Sequence, residues 1–207
     1  MNFTNLGEST SNATYTNVLN LSKGDVLDLT KAAPSLKNII VGAGWDVNDF
    51  GKDSYDLDIS AFLLDKDRRV TTAKVPERVV FFNMLHQQGI TLEGDNLTGA
   101  GEGDDERIDV NLNDIAPDIN EIIFNVNIYD AKKKNQTFGM VRNSYIRLLD
   151  ADNNEKELAR FDLKDDASTA TAVTFARLFR TSNGWSFEAL GDTYNVADLN
   201  ELLSRYL

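Results

Sequence analysis

Short runs of alternating apolar and polar residues, separated by turn-forming residues, recur along most of this 207-residue chain. In 55–64 every second residue from Leu57 is apolar, while Asp56 and Asp58 begin the opposite face. A period of two is typical of a β-strand with one buried face. The sequence therefore predicts a mainly β fold, an antiparallel β-sandwich of two packed sheets with a C-terminal α-helix. The predicted strands are 26–29, 38–41, 55–64, 79–82, 107–112, 121–129, 138–149, 158–163, 173–181 and 185–190.

Turn signals lie between these strands. Asn183 and Gly184 separate the last two and predict a hairpin with a type I′ turn. Residues 65–68 and 150–155 read as further turns, and the glycines within 42–44 predict a break after the second strand.

The last twelve residues have a different period. Asn195 is suited to cap a helix at 196–206, because the apolar residues that follow it recur three or four positions apart. We expect this helix to cover a sheet face or an open end of the sandwich. The apolar stripe consists of Val196, Leu199, Leu202, Leu203 and Tyr206.

Composition excludes several classes of function. The formal charge of −12 argues against nucleic acid as a partner, because phosphate binding needs clustered Lys and Arg. The chain has no Cys and one His, so disulfides, thiolate metal sites and histidine-rich zinc sites are not expected. No apolar run reaches the length of a membrane span. The N-terminus lacks the pattern of a signal peptide, so we expect a cytoplasmic location. Residues 1–17 are expected to form a flexible arm or an extra edge strand, and 18–207 a single domain.

An acidic, glycine-rich stretch at 94–106 contains five carboxylates. Its glycines disfavour regular structure and allow close approach of the backbone to a ligand. Calcium takes six to eight oxygen ligands and often combines carboxylates with backbone carbonyls. On residues alone, a solvated acidic turn and a calcium site both remain open. The oxygen-bearing side chains are Asp95, Asn96, Thr98, Glu102, Asp104, Asp105 and Glu106.

Asp56 and Asp58 are two residues apart, so on a strand their carboxylates point the same way, about 7 Å apart. Such a pair is either solvated or bridged by a cation. Loops of a sandwich gather at the ends of its sheets, so the start of this strand is expected to meet the 94–106 loop.

Six pieces of the chain, in order, resemble the tellurium-resistance TerD-type stress proteins. They are Leu-Ser-Lys-Gly at 21–24 with Leu-Thr-Lys at 29–31, Val-Gly-Ala-Gly-Trp-Asp at 41–46, the run at 55–65, the acidic run at 94–106, Ile-Tyr-Asp-Ala at 128–131 and Phe-Gly-Met-Val-Arg-Asn at 138–143. The similarity extends from about residue 19 to the C-terminus, but 69–88 matches the pattern poorly. The resemblance implies a calcium-binding β-sandwich of bacterial stress-response and tellurite-resistance systems, without a known catalytic activity.

The resemblance also implies which residues bind the metal. Asp46 and Asp130 also match family positions, where each is either a ligand or a loop cap, so we do not include them among the main candidate ligands. Backbone carbonyls of Gly99 and Gly101 are candidates, Glu102 is fixed less firmly by the family pattern, and the ligand count suggests two calcium ions. The residues that match the family motifs are Asp56, Asp58, Asp95, Asn96, Asp104, Asp105 and Glu106.

Two other patterns imitate known motifs. Asp150, Asp152 and Asn154 have the spacing of an EF-hand start, but Glu155 replaces the required glycine and Phe161 the closing Glu, so we predict a turn. The glycines within 99–103 match neither phosphate-binding motif, and nucleotide binding is rejected.

We predict a calcium-binding stress-response module that is not an enzyme and has no catalytic residues. Calcium would order the acidic loops for interaction with other stress or tellurite-resistance proteins, including a membrane-associated complex, and a monomer is expected. One alternative is a metal-assisted hydrolase, which lacks a nearby His, Cys or Lys as base or nucleophile. Another is a calcium-dependent membrane-docking module, for which only Leu97 supplies a bulky apolar loop residue.

Overall fold

A computed structural model describes residues 18–46, 55–93, 103–162 and 168–207. The strands in this part of the chain are β1 (Leu19–Asn20), β2 (Val26–Asp28), β3 (Asn38–Gly44), β4 (Leu57–Leu64), β5 (Val79–Val80), β6 (His86–Gln87), β7 (Ile90–Glu93), β8 (Glu106–Asn111), β9 (Glu121–Ile128), β10 (Tyr145–Asp150), β11 (Lys156–Asp162), β12 (Ala172–Thr181) and β13 (Gly184–Tyr194). The helices are α1 (Leu29–Ala32), α2 (Val75–Arg78), α3 (Ala131–Lys134) and α4 (Leu199–Leu203), with 3₁₀ turns at Thr72–Lys74, Phe138–Met140 and Ser204–Tyr206.

The strands form two sheets. The seven-stranded sheet has the order β1-β11-β10-β3-β8-β7-β6, and the six-stranded sheet has the order β2-β13-β12-β9-β4-β5. All pairs are antiparallel except β1 with β11. Alternate residues such as Val41, Ile59, Ile108 and Phe124 fill the core between the sheets. The predicted antiparallel-rich β-sandwich is confirmed.

A third layer covers the outer face of the six-stranded sheet. Leu202 and Leu203 of α4 form a second apolar cluster with Phe62, Leu64 and Ile123. This cluster explains why β4 becomes apolar on both faces in its second half. The predicted apolar stripe of the terminal helix is thus confirmed, and it covers a sheet face.

The terminal helix begins later than predicted. Residue Asp198, not Asn195, is the N-cap, and its side chain accepts the backbone N–H of Glu201 at 2.9 Å. Val196 is held in a non-helical position because its backbone N–H and carbonyl both bond to the Thr171 hydroxyl. Tertiary contacts therefore delay the helix start by one turn.

Several strand predictions were wrong in their extent, including 79–82, which is a strand only at Val79–Val80, and 185–190, which extends over Gly184–Tyr194. Two further differences have a clear local cause. Strand β3 continues through Gly42 and Gly44 instead of breaking there, because these glycines leave room for side chains on the sheet surface. The segment 138–149 is not one strand: a 3₁₀ turn comes first, Asn143 has a left-handed φ of 51°, and β10 starts only at Tyr145.

The predicted hairpin between β12 and β13 is present, but its turn type differs. Thr181 pairs with Gly184, so the loop is Ser182–Asn183, and neither loop residue has positive φ as a type I′ turn requires. Gly184, with φ of 137°, takes the conformation that L-residues rarely adopt.

Candidate metal centre

Asp104 lies two residues before β8, and its side chain reaches across β3 to a basic side chain on β10. Its Oδ1 and Oδ2 accept hydrogen bonds from Arg147 Nε and Nη2 at 2.6 and 3.0 Å, and Tyr145 donates to Oδ1 at 3.2 Å. A Cβ atom at Gly42 would lie 2.2 Å from Asp104 Oδ2, so the glycine is what allows the carboxylate to lie over β3. The Asp104 side chain is 1% exposed. A bidentate arginine therefore neutralises this carboxylate.

The Asp104–Arg147 pair belongs to a network on the outer face of the seven-stranded sheet. Arg147 also donates to Glu157 at 3.2 Å, and the Arg160 guanidinium lies 3.7 Å from the centre of the Tyr145 ring. Burial alone would lower the pKa of Arg147, but its hydrogen bonds with Asp104 and the charge of that residue raise it. The network fastens the segment before β8 to the sheet.

Asp105 has a different environment. Its backbone N–H donates to the Ala43 carbonyl at 2.7 Å, and its Oδ2 accepts the Trp45 backbone N–H at 2.8 Å. Burial raises the pKa of the Asp105 carboxyl, the Trp45 hydrogen bond opposes this shift, and the charges of Asp104 and Asp46 add to it. Negative charge is therefore crowded where the acidic stretch joins β8.

Glu106, the first residue of β8, is buried between the two sheets with 1% exposure. Its Oε2 accepts the backbone N–H of Ile59, on β4 of the opposite sheet, at 2.6 Å. A carboxylate that bonds to a backbone N–H in the interior joins the two sheets at this point.

Asp56 and Asp58 lie on the six-stranded sheet. Asp58 is opposite Asn127 of β9, is 5% exposed and accepts a hydrogen bond from Asn127 Nδ2 at 3.2 Å. Asp56 precedes β4, and its backbone carbonyl accepts the Tyr129 N–H at 2.8 Å. Asp58 therefore lies on the outer face of its sheet, away from the face that Glu106 meets.

Asp46 and Asp130, which are not among the main candidate ligands, are also placed by the structure. Asp46 accepts a hydrogen bond from Asn143 Nδ2 at 2.7 Å, and its backbone N–H donates to the Arg142 carbonyl. Asp130 has a left-handed φ of 56° and forms an ion pair with Lys133 at 3.1 Å. Asp46 acts on the described end of the acidic stretch, because its charge raises the pKa of Asp105.

The structure brings only some of the predicted ligands together. Asp104 and Asp105 are neighbours, Glu106 turns inward, and Asp58 is on the outside of the other sheet. Across the four described ranges, no group of three or more His, Asp or Glu side chains is arranged to hold a metal ion. Half of the predicted ligands lie outside these ranges, so the calcium site stays a prediction. These are Asp95, Asn96, Gly99, Gly101 and Glu102.

Sequence reasoning did not identify Arg147 and Asn127 as partners of the acidic residues. Each occupies the polar side of an alternating strand, and that much is readable from the sequence. Their partners are 43 and 69 residues away, so only the sheet order reveals the contacts.

The EF-hand-like pattern is a turn, as predicted. Asp152 Oδ2 accepts the backbone N–H groups of Lys37 and Asn38 at 2.7 and 2.9 Å, and its Oδ1 accepts Asn38 Nδ2. These bonds lower the pKa of Asp152, the contribution of the Asn38 side chain being the largest. Asp152 therefore caps the start of β3.

Residues 18–206 match the TerD domain. The chain belongs to the TerD domain family. This TerD-family chain is 43% identical to the tellurium resistance protein TerD of Serratia marcescens, over 85% of its own length and 91% of that protein. It is 41% identical to general stress protein 16U of Bacillus subtilis, again over 85% and 91% of the two chains.

A solved structure supports the fold of this TerD-family chain. The crystal structure of a homologue of the telluride resistance protein TerD from Streptomyces coelicolor superposes with a TM-score of 0.65 at 25% identity, covering 80% of this chain and 95% of that one. The family predicted from the sequence is confirmed, and its members are named for tellurium resistance and stress. In the described part of the chain, every helix is too short or too polar to traverse a bilayer.

Proposed function

We propose that this TerD-family chain acts in resistance to tellurite and chemical stress as a calcium-ordered binding module, without catalysis. One observation carries the proposal: Asp46, Asp104 and Asp105 concentrate negative charge at the junction of the 94–102 stretch with β8. Arg147 compensates Asp104, yet burial and the neighbouring carboxylates still raise the pKa of Asp105. A cation at this junction would relieve the remaining repulsion.

The donor set fits calcium better than a transition metal. The acidic residues offer carboxylate oxygens, and the stretch that leads to them adds an amide and glycine carbonyls, which are the hard ligands calcium takes. We assign Asp105, Asp95, Asn96 and Glu102 as side-chain ligands, with the carbonyls of Gly99 and Gly101. Asp56 is a further ligand. Asp58 and Glu106, which the family resemblance also implies as ligands, are bonded to Asn127 and to the Ile59 N–H, so we do not assign them to this ion. Asp104 serves mainly to anchor the site to Arg147.

The bound ion would supply positive charge and fix the loops at one end of the sandwich. The ordered end would then present a defined surface to another stress- or tellurite-resistance protein in the cytoplasm. Two contacts hold the residues next to the proposed ion in place. Asp104 bonds to Arg147 on the outer face of the seven-stranded sheet, and Glu106 bonds to the Ile59 N–H between the two sheets.

A calcium titration tests the proposal. Each independent site would add about 2.7 kcal/mol to the free energy of unfolding at a hundredfold excess of calcium over Kd. Two sites would raise the melting temperature by about 10–20 °C for a chain of this length, and magnesium by much less. Calorimetry in calcium and in chelator measures both effects. Equal melting temperatures in the two conditions would exclude the proposal.

Asp105→Asn sharpens the same test, with Asp152→Asn as the matched control. Asp105→Asn is expected to weaken calcium binding severalfold while leaving the protein in chelator as stable as the wild type or more so, because a crowded charge is removed. Asp152→Asn removes a cap remote from the acidic stretch, so it lowers stability with or without calcium and leaves affinity unchanged. Unchanged calcium affinity in Asp105→Asn would remove this residue from the site.

A further inference from the structure

The outer face of the six-stranded sheet carries a buried cluster of polar side chains. Asp58 pairs with Asn127 across β4 and β9, Ser60 pairs with Asn125, and Asn125 pairs with Thr174 of β12. All five residues are between 0% and 7% exposed. Because they share one face of three adjacent strands, their side chains form a continuous polar patch next to the apolar cluster under α4.

The C-terminal segment lies over one end of this patch. Burial is the main cause that raises the pKa of Tyr206 to about 12, and an interaction with the Thr174 side chain opposes this shift. The Tyr206 ring contacts Phe62 with ring centres 5.8 Å apart, and Leu202 packs in the same cluster. The patch is therefore interior, although it is on the outer side of the sheet.

Each asparagine amide has one hydrogen-bond partner in the patch, and the Asp58 carboxylate fixes the orientation of the Asn127 amide. Asn127 Nδ2 donates to Asp58 Oδ2 at 3.2 Å, and the Thr174 hydroxyl donates to Asn125 Oδ1 at 2.7 Å. Flipping the Asn127 amide would set its carbonyl oxygen against the Asp58 carboxylate. The Asn127 carbonyl oxygen is therefore left as an acceptor. With Asn125 Oδ1 accepting from Thr174, the Asn125 amide nitrogen is left as a donor.

Three buried atoms of this patch lack a hydrogen-bond partner within the described part of the protein. They are the Ser60 Oγ, the Asn125 Nδ2 and the Asn127 Oδ1. Ser60 and Asn125 are directly opposite each other, where Cβ atoms are about 4.5–5.5 Å apart, and Asn127 is the next residue on the same face. Buried polar groups without partners are costly and rare in native proteins.

We propose that Ser60, Asn125 and Asn127 form an internal binding site for ordered water. A water molecule can accept from the Asn125 amide, donate to the Asn127 carbonyl and take either role toward the Ser60 hydroxyl. Such buried waters make about three hydrogen bonds, which is the number of partners available here. The full burial of Ser60 and Asn125 excludes a ligand that must remain open to solvent.

The water completes a hydrogen-bonded ladder across three strands. It joins the Asp58–Asn127 pair on one side to the Asn125–Thr174 pair on the other, and Thr174 leads to Tyr206 in the C-terminal segment. None of the three residues that hold the water is a proposed calcium ligand, although Asn127 donates a hydrogen bond to Asp58, which the family resemblance places among the ligands. Measurements in chelator and in calcium are both expected to show it.

A high-resolution crystal structure of the wild-type protein tests the site directly. We expect density for water within hydrogen-bond distance of at least two of the three atoms. A dry site would overturn the proposal, and so would a metal ion there, recognised by its anomalous signal and its coordination geometry.

Ser60→Ala provides an independent test in solution through the sign of its effect. With the water in place, the variant loses one hydrogen bond, and its melting temperature falls by about 2–4 °C. Without it, the variant removes an unsatisfied buried hydroxyl, and the melting temperature rises. Thr174→Val is the control, because it removes a hydroxyl that bonds within the protein and lowers the melting temperature in both cases. A higher melting temperature for Ser60→Ala, together with a lower one for Thr174→Val, would contradict the proposal. If the melting temperatures and the crystal structure disagree, the crystal structure decides.

Discussion

Replacing Asp104 with Asn should destabilise the metal-free protein, although removing a charge from a crowded acidic stretch would ordinarily relieve repulsion. The structure supplies the reason, since both Asp104 oxygens accept hydrogen bonds from Arg147 and the Asp104 side chain is 1% exposed. In Asp104→Asn the amide group faces a guanidinium N–H, so one bond becomes a contact between two donors.

The size of the effect follows from the burial of the pair. Removing one partner of a fully buried ion pair costs about 3–5 kcal/mol. The Arg147 side chain is 24% exposed and keeps Glu157 as a second carboxylate at 3.2 Å, so part of the loss is recovered. We therefore expect a loss of about 2–3 kcal/mol, close to that of a hydrogen bond to a charged group, and a fall in melting temperature of about 4–12 °C.

Denaturant unfolding in chelator measures this difference, and a double-mutant cycle with Arg147→Gln assigns it to the pair. The double variant should be little less stable than either single variant, because each single change already breaks the contact. An Asp104→Asn variant as stable as the wild type in chelator, or more stable, would refute the argument. It would mean that repulsion among the carboxylates outweighs the ion pair with Arg147.

Further predictions concern Asp109, Gly42 and Leu202, with Asp152 as a comparison for Asp109. Burial is the main cause that raises the pKa of the Asp109 carboxyl. The contribution of Asp109 to the free energy of unfolding is therefore fully present below the ordinary aspartate pKa, and it is lost as pH rises through the raised pKa. Asp109→Asn should then be more stable than the wild type at neutral pH, and the gap should close in acid, whereas Asp152→Asn should show the opposite trend. Gly42→Ala should lower stability, because its Cβ would lie 2.2 Å from the Asp104 carboxylate, and Asp104→Ala should relieve much of that loss. Leu202→Ala should cost about 2–5 kcal/mol, measured by denaturant unfolding, because the side chain is fully buried under the sheet.

The sequence alone determined the features that depend on neighbouring residues. Alternation located β4, β8, β9, β12 and β13 within a few residues, because the direction of a side chain on a strand follows from its position in the chain. The apolar stripe of the terminal segment was likewise readable, since a helix brings residues three and four apart onto one face. Six ordered motifs were enough to identify the family, which the match over 18–206 confirms.

Only the tertiary structure decided the partners of the site residues. Asp104 bonds to Arg147 because β8 and β10 are both neighbours of β3, so the Asp104 side chain needs to cross only one strand. Asn127 bonds to Asp58 because β9 is paired with β4. Sheet order is a long-range property that no local pattern encodes. Long-range contacts also explain why β3 continues through Gly42 and Gly44. The Asp104 and Tyr145 side chains lie over these glycines and occupy the space that a Cβ atom would need. The helix start moved to Asp198 because Thr171, 25 residues from Val196, holds the chain before the helix.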